Sequence, residues 1–352
     1  MSVFDSKVNF RDNLDEGVIE KVEEEVDFAQ KMRNAVDVQL IDTNLYMSKE
    51  LWLPWGSRGA FGGQIVAQAL RAAWDTVEED FAVHSLHAYF ILACSVEIPV
   101  VYSIQRVRDG RSYATRIVTA TQRGKAIFVS SCSFVKPDDS VALNHQTTMP
   151  ETADPDTLPS DIEVLQNTLA ITESIPEAVK QRAQKKLEDN LPVDSRAVLT
   201  LSPQQVITGS VEPNTHSRRW FKTRGLLNDD MRLHACIIAY ASDSGFITTA
   251  AAANGYLINS RSLGMIASLD HSIWFHTPAR ADKWLLYDVH SPRTNSGRGM
   301  VFGKIYSQDG TLVATTAQEG IIRLSEREQE KRRKKADATW QDDAKVSTAS
   351  KL

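Results

Sequence analysis

Two stretches of the sequence follow one pattern: residues 112–134, SYATRIVTATQRGKAIFVSSCSF, and residues 299–321, GMVFGKIYSQDGTLVATTAQEGI. In each, two β-rich runs flank a Gln-x-Gly turn, so that Gln122 corresponds to Gln308 and Gly124 to Gly310. Tight turns between such runs are typical of antiparallel hairpins. The copies lie about 186 positions apart. This spacing far exceeds a solenoid unit and predicts two copies of one domain.

Each copy also contains a segment with helical periodicity. The glycine-rich GSRGAFGG precedes QIVAQALRAAWDTV in the first copy, and RLHACIIAYASDSGF occupies the same place in the second. Apolar residues recur at helical spacing in the first segment; they are Ile65, Val66, Ala69, Leu70 and Ala73. The helical segment and the neighbouring β-rich runs predict the same architecture for each copy. One long helix covers one face of an antiparallel sheet of five or six strands. The predicted class is α+β.

The chain divides into five parts by composition. Residues 1–35 are acidic and irregular and are interpreted as an N-terminal arm. Residues 36–137 form the first predicted domain, which opens on the strand-like VQLIDTNLYM, and 196–324 form the second, which opens on AVLTL. The linker 138–195 is rich in Pro, Asp and Thr, with short helices predicted in IEVLQNTLA and PEAVKQRAQKKLEDN. Residues 325–352 are a charged tail.

Composition limits the partners of the chain. Its 352 residues are 42% hydrophobic and 24% charged, as expected of a soluble globular protein. The net charge of −5 gives no overall attraction to nucleic acid or to an anionic membrane. No apolar run approaches the roughly 18 residues of a membrane span.

The sequence ends in Ser350-Lys351-Leu352, the tripeptide address of the peroxisome. It predicts a peroxisomal import receptor as partner and the peroxisomal matrix as location. The basic run at 331–335 is compatible with a nuclear signal. A solvated tail is the favoured interpretation of this run, because acidic residues flank it on both sides.

Common catalytic motifs are missing from the sequence. It has no G-x-S-x-G elbow, no HExxH, no Walker A and no GxGxxG, so we predict neither a metal nor a cofactor. The histidines of HSLH, His84 and His87, face opposite sides of a strand and would chelate poorly. We interpret these two, together with His271 and His276, as structural histidines.

Asp243 stands out in the second copy. It ends the apolar run LHACIIAYAS, where an unpaired carboxylate costs several kcal/mol. The sequence SDSG around it is good turn chemistry, so a capping role alone explains the residue. A functional role is the alternative, and local sequence does not decide between them.

Six segments together resemble the acyl-CoA thioesterase II family. They are RGAFGGQIVAQAL, HSLHAYF, RDGRSYATRIVTATQRGKAIF, YASD, LDHSIWFH and SGRGMVFGKIYSQDGTLVATTAQEG, and they occur in the family's order over most of both copies. The resemblance implies a double hot-dog fold, with two antiparallel sheets each wrapped around a long helix. It implies an acyl-CoA substrate, with hydrolysis to free fatty acid and CoA. The C-terminal SKL agrees with the family's peroxisomal branch.

The resemblance also implies catalytic residues. In this family an Asp, a Ser or Thr, and a Gln act on a water, and these correspond to Asp243, Ser268 and Gln318. Such a trio suits thioester hydrolysis, since an electrophilic carbonyl needs a positioned, partly deprotonated water more than a covalent relay. Direct attack by Asp243, giving a mixed anhydride, is the weaker alternative. The first copy has Cys132 at the position of Gln318, so we expect one active site per chain.

The sequence also offers candidate substrate-binding residues. The glycines of AFGGQ, Gly62 and Gly63, let a backbone approach a ligand at a helix start. Many family members read FLRPG where this chain reads FILACS, so an arginine is missing there. For the CoA phosphates we therefore consider Arg298, with Arg111 and Arg224 as further candidates. Analogy with other hot-dog proteins predicts a homo-oligomer.

Two other functions remain open from the sequence. A hot-dog hydratase acting on 2-enoyl-CoA would need an Asp/His dyad, but Asp270 and His271 are adjacent and would face opposite ways on a strand. A non-catalytic acyl-CoA-binding protein with a relic site is the alternative from a different class.

Overall fold

The computed structural model describes residues 26–54, 56–138, 140–171 and 175–335. The helices are α1 Phe28–Val36, α2 Gly62–Trp74, α3 Asp161–Ile171, α4 Glu177–Asp189, α5 Pro203–Thr208, α6 Met231–Ser242 and α7 Thr248–Ala252, with a helical segment over 326–335. The strands are β1 Val38–Asp42, β2 Leu45–Ser48, β3 Ala82–Phe90, β4 Val101–Asp109, β5 Tyr113–Gln122, β6 Lys125–Val135, β7 Val193–Ala197, β8 His216–Thr223, β9 Leu263–Ser268, β10 Asp270–Phe275, β11 Leu285–Asn295, β12 Arg298–Ser307 and β13 Leu312–Leu324. None of the described helices is long and apolar enough to cross a membrane.

The described strands form one antiparallel sheet of 13 strands. Its order is β1-β2-β4-β5-β6-β3-β10-β13-β12-β11-β8-β7, with β9 pairing with β13 off this path. The predicted α+β class is confirmed. The two repeat copies are the two halves of this sheet, and β3 and β10 join them edge to edge. At this joint Leu86 lies opposite Ile273, and both side chains are fully buried.

The long helices α2 and α6 pack against each other on the inner face of the sheet. They run antiparallel, because Gly63 at the start of α2 meets Tyr240 near the end of α6, while Arg71 near the end of α2 contacts Asp230 at the start of α6. A Cβ at Gly63 would overlap the carbonyl oxygen of Tyr240. Glycine is therefore needed for this close approach. The contact brings the start of one helix to the end of the other.

The sequence prediction was wrong about the end of the N-terminal arm. Residues 28–36 form helix α1 instead of irregular chain, and its Met32 and Val36 are fully buried in the main core. Asp27 caps the helix by accepting a hydrogen bond from the N–H of Gln30 at 2.9 Å. The earlier part of the arm, 1–25, lies outside the described residues.

Two strand predictions also need correction. VQLIDTNLYM is not one strand but the hairpin β1–β2, because Asn44 adopts a left-handed conformation with φ of 57°. The first strand of the second half is β7, whose sequence is VDSRA. Of the predicted strand AVLTL, only the first residue, Ala197, belongs to β7. Both predicted linker helices are present, as α3 and α4.

The linker also covers the outer face of the second half. Trp220, Trp284, Leu286 and Tyr306 form a small apolar cluster there. The linker covers this cluster, and the carbonyl of Ala153 accepts a hydrogen bond from Trp220 Nε1 at 3.1 Å. The linker is thus part of the folded unit.

The consecutive strands β9 and β10 both pair with β13, and the register changes between them. Ser268 of β9 lies opposite Gly320, whereas Ser272 of β10 lies opposite Ala317, so the β9–β10 side carries one extra residue. Leu269, between the two strands, donates its N–H to the carbonyl of Glu319 at 2.9 Å. An extra residue of this kind redirects side chains and is common beside functional sites.

Candidate active site

Asp243 follows the last residue of α6 and acts as its C-cap. Its carboxylate Oδ1 accepts a hydrogen bond from Gln318 Nε2 at 2.7 Å. Burial raises the pKa of Asp243 to about 6, and hydrogen bonds from Gln318, the N–H of Gly63 and the hydroxyl of Ser268 oppose that rise. Every one of these donors is neutral. The result is a carboxylate that is ionised at pH 7 and still basic enough to accept a proton.

Gln318 lies in the middle of β13 and is fully buried. Its Nε2 donates to Asp243 and also lies 3.1 Å from His271 Nδ1. Its Oε1 has no hydrogen-bond partner among the described residues. A buried acceptor without a protein partner is open to a hydrogen bond from a water or a ligand.

Ser268 reaches the same face of the sheet through the register change. Paired residues of antiparallel strands share a face, so Ser268, opposite Gly320, lies on the face of Gln318. The structure therefore brings all three predicted catalytic residues, Asp243, Ser268 and Gln318, together at the end of α6.

His271 is a residue of this site that sequence reasoning missed. It is fully buried, and burial lowers its pKa to about 3, so the ring is neutral. Nδ1 faces Gln318, and Nε2 lies 2.9 Å from the hydroxyl of Ser242. In a regular strand Ser268 and His271, three residues apart, would face opposite sides. The extra residue between them places both beside Gln318, and no local sequence signal announces it.

Asp270 faces away from this cluster. Its Oδ1 accepts the N–H of Glu319 at 2.7 Å at the edge of the register change. Asp270 and His271 thus do not form the dyad that a hydratase would need. Among residues 26–54, 56–138, 140–171 and 175–335, no three His, Cys, Asp or Glu side chains are grouped to hold a metal ion.

The predicted glycines Gly62 and Gly63 form the other wall of the site, at the start of α2. An added Cβ at Gly62 would lie 2.7 Å from Asp243 Oδ2. Helix α2 has no side-chain N-cap, and the N–H of Gly63 instead bonds the Asp243 carboxylate. A negative charge at a helix N-terminus is favourable. The first half of the chain thus supplies backbone to a site whose side chains come from the second.

The predicted CoA-binding arginines lie apart from one another. Arg298 forms an ion pair with Glu319 at 2.8 Å on the sheet surface. Arg224 donates to Asn190 at 2.7 Å and stacks over the ring of Phe28. Arg111 is exposed in the β4–β5 turn. The structure does not bring these three together.

A cavity of about 1370 Å³ lies between the linker helices α3 and α4 and the second half. Ser244 and Gly245, the residues directly after Asp243, form part of its wall. Arg182, Arg219 and Arg224 also line it. An added Cβ at Gly245 would lie 3.1 Å from Arg219 Nη1, so this guanidinium covers the loop after Asp243. Neither Arg182 nor Arg219 forms an ion pair with a carboxylate in the described part of the chain.

The equivalent corner of the first half is built differently. Helix α2 also ends on an aspartate C-cap, Asp75, but Arg71 lies 3.7 Å from its carboxylate and 3.4 Å from Asp230. At the position of Gln318 is Cys132, whose thiol is buried. The cation Arg71 thus contacts Asp75, whereas only neutral donors contact Asp243 in the second half. The first half also has no amide side chain at the position of Gln318. The predicted trio of Asp243, Ser268 and Gln318 therefore occurs once in the described chain.

Comparison with known proteins shows what this chain is similar to. Residues 189–321 match the family described as Acyl-CoA thioesterase, and residues 51–135 match the Acyl-CoA thioesterase N-terminal domain. The chain is 38% identical to acyl-coenzyme A thioesterase 8 of Mus musculus over 296 residues, which cover 83% of this chain and 88% of that protein. It is 36% identical to acyl-CoA thioesterase 2 of Haemophilus influenzae, over 77% of this chain and 90% of the relative.

A solved structure extends the likeness to three dimensions. The crystal structure of an acyl-CoA thioesterase II from Mycobacterium marinum superposes with a TM-score of 0.64 at 32% identity. The match covers 84% of this chain and 99% of that one. With the fold, the repeat and the two matched regions in agreement, the chain belongs to the acyl-CoA thioesterase family.

Proposed function

We propose that the chain hydrolyses fatty acyl-CoA to free fatty acid and CoA, using a water positioned by Asp243, Ser268 and Gln318. The observation that carries the proposal is the amide of Gln318. It is fully buried, donates to the Asp243 carboxylate at 2.7 Å and leaves its own oxygen without a partner in the described structure. A water donating one proton to Asp243 and the other to Gln318 Oε1 would satisfy both acceptors.

The reaction needs no cofactor. The water oxygen attacks the thioester carbonyl carbon while Asp243 accepts its proton, and the carbonyl oxygen takes up the electron pair. When the tetrahedral intermediate collapses, the C–S bond breaks and CoA leaves as a thiolate. The thiolate then takes up a proton. The thiol pKa of about 8.5 makes it a good leaving group.

The start of α2 is the candidate for stabilising the oxyanion. The N–H of Gly62 is the first of the helix, and no described atom accepts a hydrogen bond from it. It neighbours the Gly63 N–H that acts on Asp243. A preorganised backbone donor next to the base is the arrangement that tetrahedral intermediates require.

Release of free thiol from a panel of acyl-CoAs tests this proposal, with Asp243→Asn as the main variant. We expect turnover by the wild-type chain and a loss of about 10²–10⁴-fold in kcat in the variant, the range for a missing general base. Tight binding without thiol release by the wild type would support the non-catalytic alternative. Full activity of Asp243→Asn would overturn the residue assignment.

A mixed anhydride on Asp243 is the competing route. Hydroxylamine added during turnover would cleave such an anhydride, and attack at its Asp243 carbonyl would release the fatty acid and leave a hydroxamate on the peptide that contains Asp243. We expect the peptide mass to remain unchanged, since the proposed route forms no acyl-enzyme.

For the CoA part of the substrate, we infer that Arg219 is a better candidate than the three arginines predicted from sequence. It lines the cavity beside Asp243, and its guanidinium forms no ion pair with a described carboxylate. We expect Arg219→Ala to raise KM for acyl-CoA while leaving turnover of the matching N-acetylcysteamine thioester unchanged. Arg298→Ala is the matched control; a larger KM effect there would favour the sequence-based choice.

We further propose the peroxisomal matrix as the location, through recognition of Ser350, Lys351 and Leu352 by the import receptor. These residues lie outside the described structure. Deleting them should leave kcat unchanged and move a fluorescent fusion out of peroxisomes. Continued import of the truncated chain would contradict this.

Homo-oligomer formation also stays a prediction, which light scattering of the purified chain tests.

A further inference from the structure

His271 and Asp243 both contact the Nε2 end of the Gln318 amide, but the proposed reaction uses only Asp243. The ring is fully buried and packs edge-to-face against Phe246 at 5.7 Å. Its two nitrogens each have one neighbour: Nδ1 lies 3.1 Å from Gln318 Nε2 and Nε2 lies 2.9 Å from Ser242 Oγ. Ser242 is the last residue of α6 and is also fully buried.

The end of α6 determines which way the proton of Ser242 points. In a continuing helix the carbonyl of Ala239 would accept the N–H of Asp243, but that N–H turns to Ala241 instead. The hydroxyl of Ser242 takes its place and donates to the Ala239 carbonyl at 2.8 Å. Free carbonyls at a helix end need such a donor. The hydroxyl proton is thereby committed, and Ser242 can only accept from His271.

The direction of the Ser242 hydroxyl determines where the proton of His271 lies and how the Gln318 amide is oriented. Since Ser242 accepts, His271 carries its single proton on Nε2 and presents a bare Nδ1 to Gln318. A bare ring nitrogen needs a donor, which only the NH₂ end of the Gln318 amide can supply. The Asp243 carboxylate, which contacts the same nitrogen, needs a donor as well. Both neighbours therefore select the same amide orientation.

We infer that His271 and Ser242 are positioning residues: they hold the amide of Gln318 so that its oxygen, not its nitrogen, faces the attacking water. The inference rests on the proposed function, because it acts only through Gln318. A rotated amide would place Oε1 against the carboxylate of Asp243 and turn a donor towards the water. The terminal torsion of glutamine is broad and does not select an orientation by itself. The chain from the Ala239 carbonyl to His271 supplies that selection.

The test is a double-mutant cycle between His271→Asn and Gln318→Ala, read as kcat and KM for one acyl-CoA. We expect His271→Asn to lower kcat by about 10²-fold, the scale of a misplaced catalytic group, with KM within a few-fold of the wild type. On the Gln318→Ala background the same change should cause no further loss, since nothing remains to be positioned. A purely structural role would give losses that multiply.

Controls separate this result from unfolding. His234→Asn removes another fully buried ring with two hydrogen bonds, to the carbonyl of Asn228 and from the N–H of Ala281, away from Gln318. We expect it to retain kcat. If His271→Asn fails to fold, Ser242→Ala is the second variant. It keeps the imidazole ring but removes the hydroxyl that fixes its tautomer. We expect it to lower kcat about 3–30-fold, a smaller loss than that of His271→Asn.

The outcomes distinguish the two proposals. A Gln318→Ala variant with full activity would overturn the role of Gln318 and this inference with it. An impaired Gln318→Ala variant with a fully active His271→Asn, a fully active Ser242→Ala, or losses that multiply in the double variant, would overturn this inference alone.

Discussion

Asp243 occupies a position that is unfavourable for an acid. It caps the C-terminal end of α6, where the helix dipole is negative, and burial raises its pKa. The opposing donors are neutral and offset only part of that burial. The fold therefore holds a buried carboxylate that no cation compensates, an arrangement that does not favour stability.

This imbalance predicts a stability gain on removing the charge. The folded pKa of about 6 lies above the ordinary aspartate pKa of 3.8, so folding takes up a proton between these two pH values, and stability falls as pH rises through them. At pH 7 we expect Asp243→Asn to raise the free energy of unfolding by roughly 1–3 kcal/mol. At pH 4 the gain should largely vanish. Denaturant unfolding at both pH values checks this; a variant less stable at pH 7 would contradict it.

At the scale of elements, the site is the meeting point of two helix ends and a strand with one extra residue. Hydrophobic periodicity and turn signals predicted α2, α6 and the hairpins β5–β6 and β12–β13, because these features are local. The trio came from the family resemblance. His271 was missed because strand alternation places it opposite Ser268, and only the extra residue opposite β13 reverses that. AVLTL was misplaced because tertiary pairing, not propensity, fixes where β7 ends.

The helix contact predicts the effect of one methyl group at Gly62. In Gly62→Ala the new Cβ would lie 2.7 Å from Asp243 Oδ2, so the carboxylate must shift. Moving a catalytic group by about 1 Å typically lowers turnover by roughly 10²-fold. We expect kcat to fall by about that factor while the unfolding temperature changes little. Wild-type kcat in Gly62→Ala would show that Asp243 is not held against α2 during catalysis.

At the scale of the whole molecule, one sheet joins two related halves with unequal roles. The first half contributes the backbone of Gly62 and Gly63, and the second contributes Asp243, Ser268 and Gln318. The corresponding corner of the first half carries the ion pairs of Arg71 instead. The two halves thus provide the joined sheet and the paired helices, while the proposed active site lies at one corner.

This asymmetry predicts one substrate site per chain. A thioether analogue of acyl-CoA, which cannot be hydrolysed, should bind with a stoichiometry of one per chain in isothermal titration calorimetry. Asp243→Asn should keep that stoichiometry, since it removes the base without filling the site. Two equivalent sites per chain would contradict the assignment of a single active corner.

The pH dependence of kcat/KM tests most directly whether the ionised Asp243 is the base. Burial raises the pKa of Asp243 to about 6, whereas burial lowers that of His271 to about 3, so Asp243 is the site group expected to titrate just below neutrality. An acyl-pantetheine thioester lacks the phosphates that titrate near pH 6 in CoA. With it, kcat/KM should be level above pH 7 and fall tenfold per unit below about pH 6. A level profile down to pH 5 would contradict the account.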